Sequence, residues 1–414
     1  MMIVGPAAFV DEARIWHRLE QLAEIGATPG GGVNRQALSE QDARARLQLA
    51  AWAKDLGLST RSDPAGNIFL VLEGSDPDAL PILTGSHIDS QPTGGRFDGA
   101  YGVVAGLEAV QAVLEAGQQP RHTIEVVAWM NEEGSRFAPG MMGSAAFAGA
   151  RGLNDILAVQ DDMGISVKTA LASMPGFPEY PLRRSISAYL EAHIEQGPIL
   201  EREGLTVGIV TGIQGKHTYR VTVEGEEAHA GTALEAERKD ALFAAIDLVQ
   251  ELRHALHDPE DRVRFTIGAF TVRPNAPSVV PSSVVFSIDL RHPEQEVLVA
   301  CGAKIEELCQ ERPGPCRIVL EELSRAASLS FPQAMQDRIS AAADALGIPS
   351  MRLASSAGHD ARYLHQIAET GMIFVPCRDG VSHREDEWAS PAALADGAKV
   401  LADVLYGLAL GHPA

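Results

Sequence analysis

Histidines and carboxylates, the side chains that grip metal ions, come in several short clusters in this sequence. Ser86-His87-Ile88-Asp89 sets an imidazole two residues from a carboxylate. A metal-bound histidine needs a partner for its other ring N–H, and Asp89 is spaced to accept that hydrogen and fix the tautomer. His-x-Asp is equally a pattern of helix caps and polar cores. Eleven residues after His87, Gly94-Gly95-Arg96-Phe97-Asp98-Gly99 carries Asp98 in a glycine-rich loop that lets backbone approach closely. There Asp98 could bridge two cations, or cap the helix that follows. Asn131-Glu132-Glu133-Gly134 holds adjacent carboxylates, which point apart, so one can bind metal while the other acts on a water; a solvated pair reads the same way. Ala192-His193-Ile194-Glu195-Gln196-Gly197 and Ser382-His383 supply two further imidazoles. Two histidines, one bridging aspartate, one glutamate and a third histidine make five ligands, enough for two hydrolytic metals that share a carboxylate.

These clusters need a scaffold that brings distant segments together. Apolar positions at three- and four-residue spacing predict helices over 9–26 and 39–56, separated by Gly30-Gly31-Gly32. A strand at Leu80–Gly85, a helix over 101–116 and a buried run at Thr123–Trp129 follow, the rhythm of an α/β layer with a largely parallel sheet. His87 then sits just past a strand's carboxyl end, where open α/β sheets place their sites. From about residue 210 the pattern changes. Strands at 218–224, 264–272, 283–291 and 316–322, with helices over 233–256 and 295–311, spell β-α-β-β-α-β, a ferredoxin-like α+β unit. It reads as an insertion. The α/β signature resumes with a helix at 332–346, a strand at Met372–Pro376 and a helix at 391–409. The expected division is therefore 1–210 and 326–414 for the α/β domain, with 211–325 inserted. In the strand 283–291, Val284, Phe286, Ile288 and Leu290 are apolar, so Asp289 and Arg291 share the opposite face.

Length and composition narrow the setting. At roughly 150 residues per domain, 414 residues predict two or three domains. The net charge of −21 argues against nucleic acid and anionic membranes as partners. With 45% hydrophobic and 21% charged residues the chain is of globular type. No apolar stretch approaches the roughly 20 residues of a membrane span. Met1–Val10 has no Lys or Arg before its apolar residues and meets Asp11 and Glu12 at once, a poor export signal. Cys301, Cys309, Cys316 and Cys377 show no Cys-x-x-Cys spacing, so reduced thiols in a cytoplasmic protein are expected.

The stretches Gly85–Gly99, Asn131–Phe137 and His193–Pro198 together resemble the amidase/hydantoinase/carbamoylase branch of the dinuclear-zinc aminoacylase and carboxypeptidase-like hydrolases. Weaker matches extend the resemblance along nearly the whole chain: Gly31–Arg35, Gly212–Gly215, Ala228–Thr232, Arg273–Ala276, Gly358–Ala361 and Ser382-His383. It implies a catalytic α/β domain interrupted by a smaller lid through which two subunits form a homodimer. It also implies two divalent metal ions per subunit, zinc or else manganese, cobalt or nickel. One would take His87, Asp98 and His193, and the other Asp98, Glu133 and His383. Glu132 would be the general base and Asp89 would orient His87. His229, Asn275 and Arg291 of the lid, with Gln196 and Gly358, would bind substrate, and His229 would also assist catalysis.

The activity implied is hydrolysis of the ureido C–N bond of an N-carbamoyl L-amino acid. Allantoate amidohydrolase and β-ureidopropionase share the ligands and differ in the pocket. An aminoacylase or peptidase is disfavoured by His193, where many peptidases carry a carboxylate, and a non-catalytic binding protein by the complete ligand set. Ser356 stands where the resemblance leads one to expect glycine, and Arg384-Glu385-Asp386 is more charged than expected. Neither is a ligand position, so both bear on substrate choice.

Overall fold

Runs of β-branched and apolar residues form the strands that carry the site, and their burial on both faces marks them as central. The protein was analysed as a computed structural model that describes residues 5–117, 119–311 and 314–411. Residues 1–4 of the amino-terminal stretch considered above lie outside them. The chain divides into two units, residues 1–211 with 331–414, and residues 212–330.

The larger unit contains β1 (Ser59–Ser62), β2 (Ile68–Leu72), β3 (Ile82–His87), β4 (Ile124–Trp129), β5 (Ala188–Ile194) and β6 (Val207–Ile213). The smaller unit contributes β7 (Gly215–Glu224), β8 (Arg264–Thr266), β9 (Phe270–Arg273), β10 (Ser283–His292) and β11 (Arg317–Ala326). Two more strands, β12 (Ser350–Ser355) and β13 (Glu369–Val375), return to the first. The long helices are α1 (Glu12–Glu24), α2 (Glu40–Asp55), α3 (Ala100–Glu115), α4 (Ala241–Ala255), α5 (Gln295–Gln310), α6 (Gln333–Leu346) and α7 (Pro391–Ala409).

In the larger unit the strand order is β1-β2-β4-β3-β5-β13-β6, with β12 also on β6. The middle four, β4-β3-β5-β13, run parallel to one another. The β1–β2, β2–β4 and β13–β6 pairings are antiparallel. The sheet is therefore mixed, which corrects the expectation of a largely parallel one. Strands β1, β2, β5, β6 and β12 were not expected from the sequence; β1 is only four residues long and β2 is continuously apolar, so neither shows a period of its own. Helix α3 is buried almost all round and packs with α1 and α7 on the sheet. Its one buried charge, Glu108, is held by Arg14 at 2.7 Å and Arg18 at 3.1 Å, as an interior carboxylate requires.

The smaller unit has strand order β9-β10-β7-β11, with β8 also on β10, every pairing antiparallel. With α4 and α5 this is the ferredoxin-like arrangement. The helix expected from 233 begins only at Ala241, because the Asp240 carboxylate accepts the N–H groups of Leu242 and Phe243 and starts the helix there. The strand expected over 264–272 is broken into β8 and β9 around Gly268. The last strand runs to Ala326 rather than 322. In β10, Val284, Phe286, Ile288 and Leu290 are buried while Asp289 and Arg291 alternate outward.

The point that opens the sheet is Gly85. Its φ of +134° suits glycine alone, and a Cβ there would lie 2.0 Å from the Val127 carbonyl oxygen. Pairing of β3 with β5 ends at Thr84–Leu190, just before it. The two strands therefore part just before His87 and His193, each of which stays paired to its other neighbour. Gly85→Ala should cost about 2–4 kcal/mol of folding stability; an unchanged urea-unfolding midpoint would contradict the account.

Candidate metal centre

Every candidate ligand of the larger unit lies at the carboxyl end of the four parallel strands. His87 is the last residue of β3, His193 the last but one of β5, and Glu132 and Glu133 follow β4 within four residues. His383 follows β13 on a longer loop. Parallel strands end on one side, so residues far apart in sequence share one crevice.

Asp98 is where they meet. Its Oδ1 lies 3.1 Å from His193 Nε2 and 3.7 Å from His87 Nε2, and its Oδ2 lies 3.3 Å from His383 Nε2. His383 Nε2 is also 3.4 Å from Glu133 Oε2. Two groups able to hold an ion result, His87–Asp98–His193 and Asp98–Glu133–His383, with Asp98 common to both. The helix-cap alternative for Asp98 is excluded, since the N-cap of α3 is Gly99, without a side-chain cap bond. Gly99, at φ +64°, is required twice over, because a Cβ would sit 2.3 Å from the His87 ring.

The donor set fits divalent cations. Imidazoles and carboxylates together suit zinc and its neighbours, and the two buried rings are already oriented. His87 Nδ1 faces the backbone oxygen of Asp89 at 3.0 Å, and His193 Nδ1 that of Ile194 at 2.9 Å. The Asp89 carboxylate is not what holds His87; at 3.6 Å from Nδ1 it is beyond hydrogen-bond reach. It accepts instead the backbone N–H groups of Glu132 and Glu133, each at 3.2 Å, and so fixes the loop carrying both glutamates. Gln91 Nε2 donates to Glu133 Oε2 at 2.7 Å. Glu132 Oε2 stands 3.5 Å from His87 Nε2.

Crowding of like charges out of water sets the protonation pattern. Burial, then Asp360, Glu133, Asp89 and Asp98, push the Glu132 carboxyl well above the usual range. Burial and Asp98 raise Glu133 to about 8. Asp98 goes the other way, its own burial overcome by His193 and His383. Burial lowers His87 to about 4. His193, against its burial, is raised to about 9 by Asp98. His383 is raised to about 9, chiefly by its hydrogen bond with Asp98.

Of the other expected residues, only Gln196 reaches the ligands. Gln196 donates from Nε2 to Asp98 Oδ2 at 2.8 Å and to Ser382 Oγ at 3.1 Å, while its buried Oε1 has no hydrogen-bond partner. Gly358 lies beside Met141, 3.3 Å from where a Cβ would meet its Cε. His229, Asn275 and Arg291 belong to the smaller unit. His229 pairs with Val279 in a two-stranded ladder, Asn275 follows β9 with φ +60°, and Arg291 binds Asp289 at 2.7 Å.

The structure also brings in residues given no role from sequence. Glu191, two residues before His193 and hence on the same strand face, accepts from Ser86 Oγ at 2.7 Å, Tyr189 Oη at 3.1 Å and the Ala361 N–H at 3.1 Å. His359 stacks edge-on to His193, ring centroids 4.6 Å apart, with Nε2 2.9 Å from Ser355 Oγ. Glu191, His193 and His359 are close enough to hold an ion, but their atoms are already engaged by protein groups, so they read as support for His193. Strand alternation could have flagged Glu191; nothing local flags His359. Asn131, Gln196 and His383 all adopt positive φ, near 55°, the kind of backbone strain that gathers at functional sites.

A mixed sheet whose central strands deliver imidazoles and carboxylates to one crevice defines a candidate hydrolytic metal centre. The model of peptidase family M20/M25/M40 matches residues 83–407, and the chain belongs to that family. An N-carbamoyl-L-amino-acid amidohydrolase from Rhizobium meliloti is 38% identical, covering 97% of each chain. An allantoate amidohydrolase from Bacillus subtilis (strain 168) is 39% identical, covering 94% of this chain and 96% of its own. A hydantoinase/carbamoylase family amidase from Burkholderia multivorans superposes with a TM-score of 0.91 at 41% identity, covering 98% of this chain and 99% of its own. The chain is accordingly a hydrolase of linear amide C–N bonds, in the carbamoylase and allantoate amidohydrolase branch of the family.

The protonation pattern has a measurable consequence. Without a cation, Glu133, His193 and His383 hold protons at pH 7, and a cation must displace them; His87 is already neutral. Affinity should fall as pH falls below these raised values, by about tenfold per pH unit for each proton displaced. Equilibrium dialysis against zinc at pH 6, 7 and 8 should show at least that slope, and a flat profile would refute it.

Proposed function

We propose that the protein hydrolyses N-carbamoyl L-amino acids, releasing the amino acid, CO2 and ammonia. The observation that carries this reading is the convergence of two ligand groups on Asp98 with a partly buried glutamate, Glu132, beside them. Two divalent ions, zinc in this reading, would be held by His87, Asp98 and His193 and by Asp98, Glu133 and His383. When bound they supply charge that polarises a carbonyl and makes a water acidic. Glu132 is the group left to move the proton. Its carboxylate takes a hydrogen from the attacking water and returns it to the amino acid's nitrogen as the C–N bond breaks. The other product is carbamic acid, which decomposes to CO2 and ammonia.

The smaller unit is proposed as a lid supplying His229, Asn275 and Arg291. Arg291, outward on β10, offers a forked guanidinium that can grip the substrate carboxylate at two points, as a lysine cannot. His229 can donate to the oxygen on which charge develops, a kind of contact whose loss costs about 10²–10³ in rate. Asp89 acts by holding the Glu132–Glu133 backbone, and Gln196 and Gly358 line the site. A second reading, allantoate as substrate, is favoured by the 39% identity to the Bacillus subtilis enzyme. β-Ureidopropionase activity shares the chemistry.

We also propose a cytoplasmic homodimer. The four cysteines are free thiols, and among the described residues no helix is long and apolar enough to cross a membrane. Among the described residues strand β11 pairs only with β7, which leaves its other edge available to a second copy.

Ammonia release from N-carbamoyl α-amino acids, N-carbamoyl-β-alanine, allantoate, N-acetyl amino acids and dipeptides should favour the first group, and turnover confined to dipeptides would sink the proposal. Glu132→Gln should lower kcat by about 10²–10⁴ with cation content unchanged; a mutant retaining most of its turnover would remove Glu132 from the base role. If His229 serves the neighbouring subunit, dilution to a monomer should abolish activity, and a fully active monomer in analytical ultracentrifugation would disprove that placement.

A further inference from the structure

The geometry points to Glu387 as a positioning residue that ties the Asp98 loop to the His383 loop and so sets the separation of the two cation positions. This rests on the two-cation reading above. Glu387 is only 3% exposed, and each of its oxygens serves a different segment. Oε1 accepts the backbone N–H groups of Phe97 at 2.9 Å and Asp98 at 3.1 Å, while Oε2 accepts the Ser382 hydroxyl at 3.0 Å.

The connection closes into a ring. Ser382 Oγ is also 3.0 Å from Asp98 Oδ2, and Gln196 Nε2 donates to both of them. A hydroxyl has one hydrogen, so Ser382 can serve either Asp98 or Glu387 at a time. When a cation draws on Asp98 Oδ2, Glu387 remains to take that hydrogen and keep Ser382, the residue before His383, in place. The carboxylate is thus a strut between the shared ligand and one ligand of the second group.

Gly95 supports the same conclusion from the other side. Its φ is not positive, so the backbone does not demand glycine there. Space does: a Cβ would lie 2.0 Å from Glu387 Cδ. The second glycine of the Gly94-Gly95 pair is therefore the seat of the strut.

The test is the binding isotherm of the metal-free protein for manganese, by equilibrium dialysis, for wild type, E387A, E387Q, G95A, the G95A/E387A double variant and D386A. Asp386 is the exposed neighbour, paired with Arg384. E387A should weaken at least one of the two cations by about 10–100-fold, with E387Q intermediate because an amide oxygen can still accept the backbone N–H groups. D386A should match wild type. G95A should imitate E387A, yet add little in the E387A background, because the new methyl then fills vacated space. Isotherms of E387A and G95A within twofold of wild type, or effects that simply add, overturn the strut. If E387A does not fold, E387Q and G95A decide by the same criteria. A wild type that binds fewer than two cations overturns the two-cation reading itself, whereas two cations bound equally well without Glu387 overturns only the strut.

Discussion

One carboxylate shared by three imidazoles is the interaction on which the rest depends. Asp98 faces His87, His193 and His383 at 3.1–3.7 Å, and no two of these residues come from the same strand. An aspartate in that position cannot be served by local structure. It must be presented by a loop free of helix-capping duty and approached at once by two strand ends and a loop. Gly99 takes the N-cap position in its place. The carboxylates around it are destabilised as anions by burial and by each other, a penalty that divalent cations would relieve.

The surrounding architecture follows from meeting that demand. Four parallel strands end on one side, and the early end of β3–β5 pairing at Gly85 opens the sheet where the two histidines emerge. The antiparallel strands outside them extend the sheet without adding ligands. Backbone strain is concentrated here as well, since Asn131, Gln196 and His383 are held at positive φ by hydrogen bonds and packing from the rest of the fold. Glycines are needed where side chains of the site occupy the space a Cβ would take, as His87 does at Gly99 and Glu387 at Gly95.

Family membership defines the class of bond cleaved and leaves the acid attached to it to the substrate-binding residues. Relatives of nearly equal identity are named for N-carbamoyl amino acids and for allantoate. The ligand set is common to such chemistry, so discrimination has to arise from groups that touch the substrate away from the reacting carbonyl.

The amino-acid sequence by itself determined the donor set, the interruption of the α/β domain by a ferredoxin-like unit and the outward face of Arg291. Each depends on residue type or on a period of two or 3.6, which are local properties. The tertiary structure alone decided which donor meets which acceptor. Asp89 was spaced to hold the His87 ring, but its backbone oxygen does so while its carboxylate anchors Glu132 and Glu133. Asp98 could have capped α3 and does not. The sheet's antiparallel flanks, the start of α4 at Asp240, and the roles of Glu191 and Glu387 were likewise hidden. Hydrogen bonds are allotted by distance among many competing groups, and those distances exist only once remote segments, such as Phe97 and Glu387 that lie 290 residues apart, are packed together.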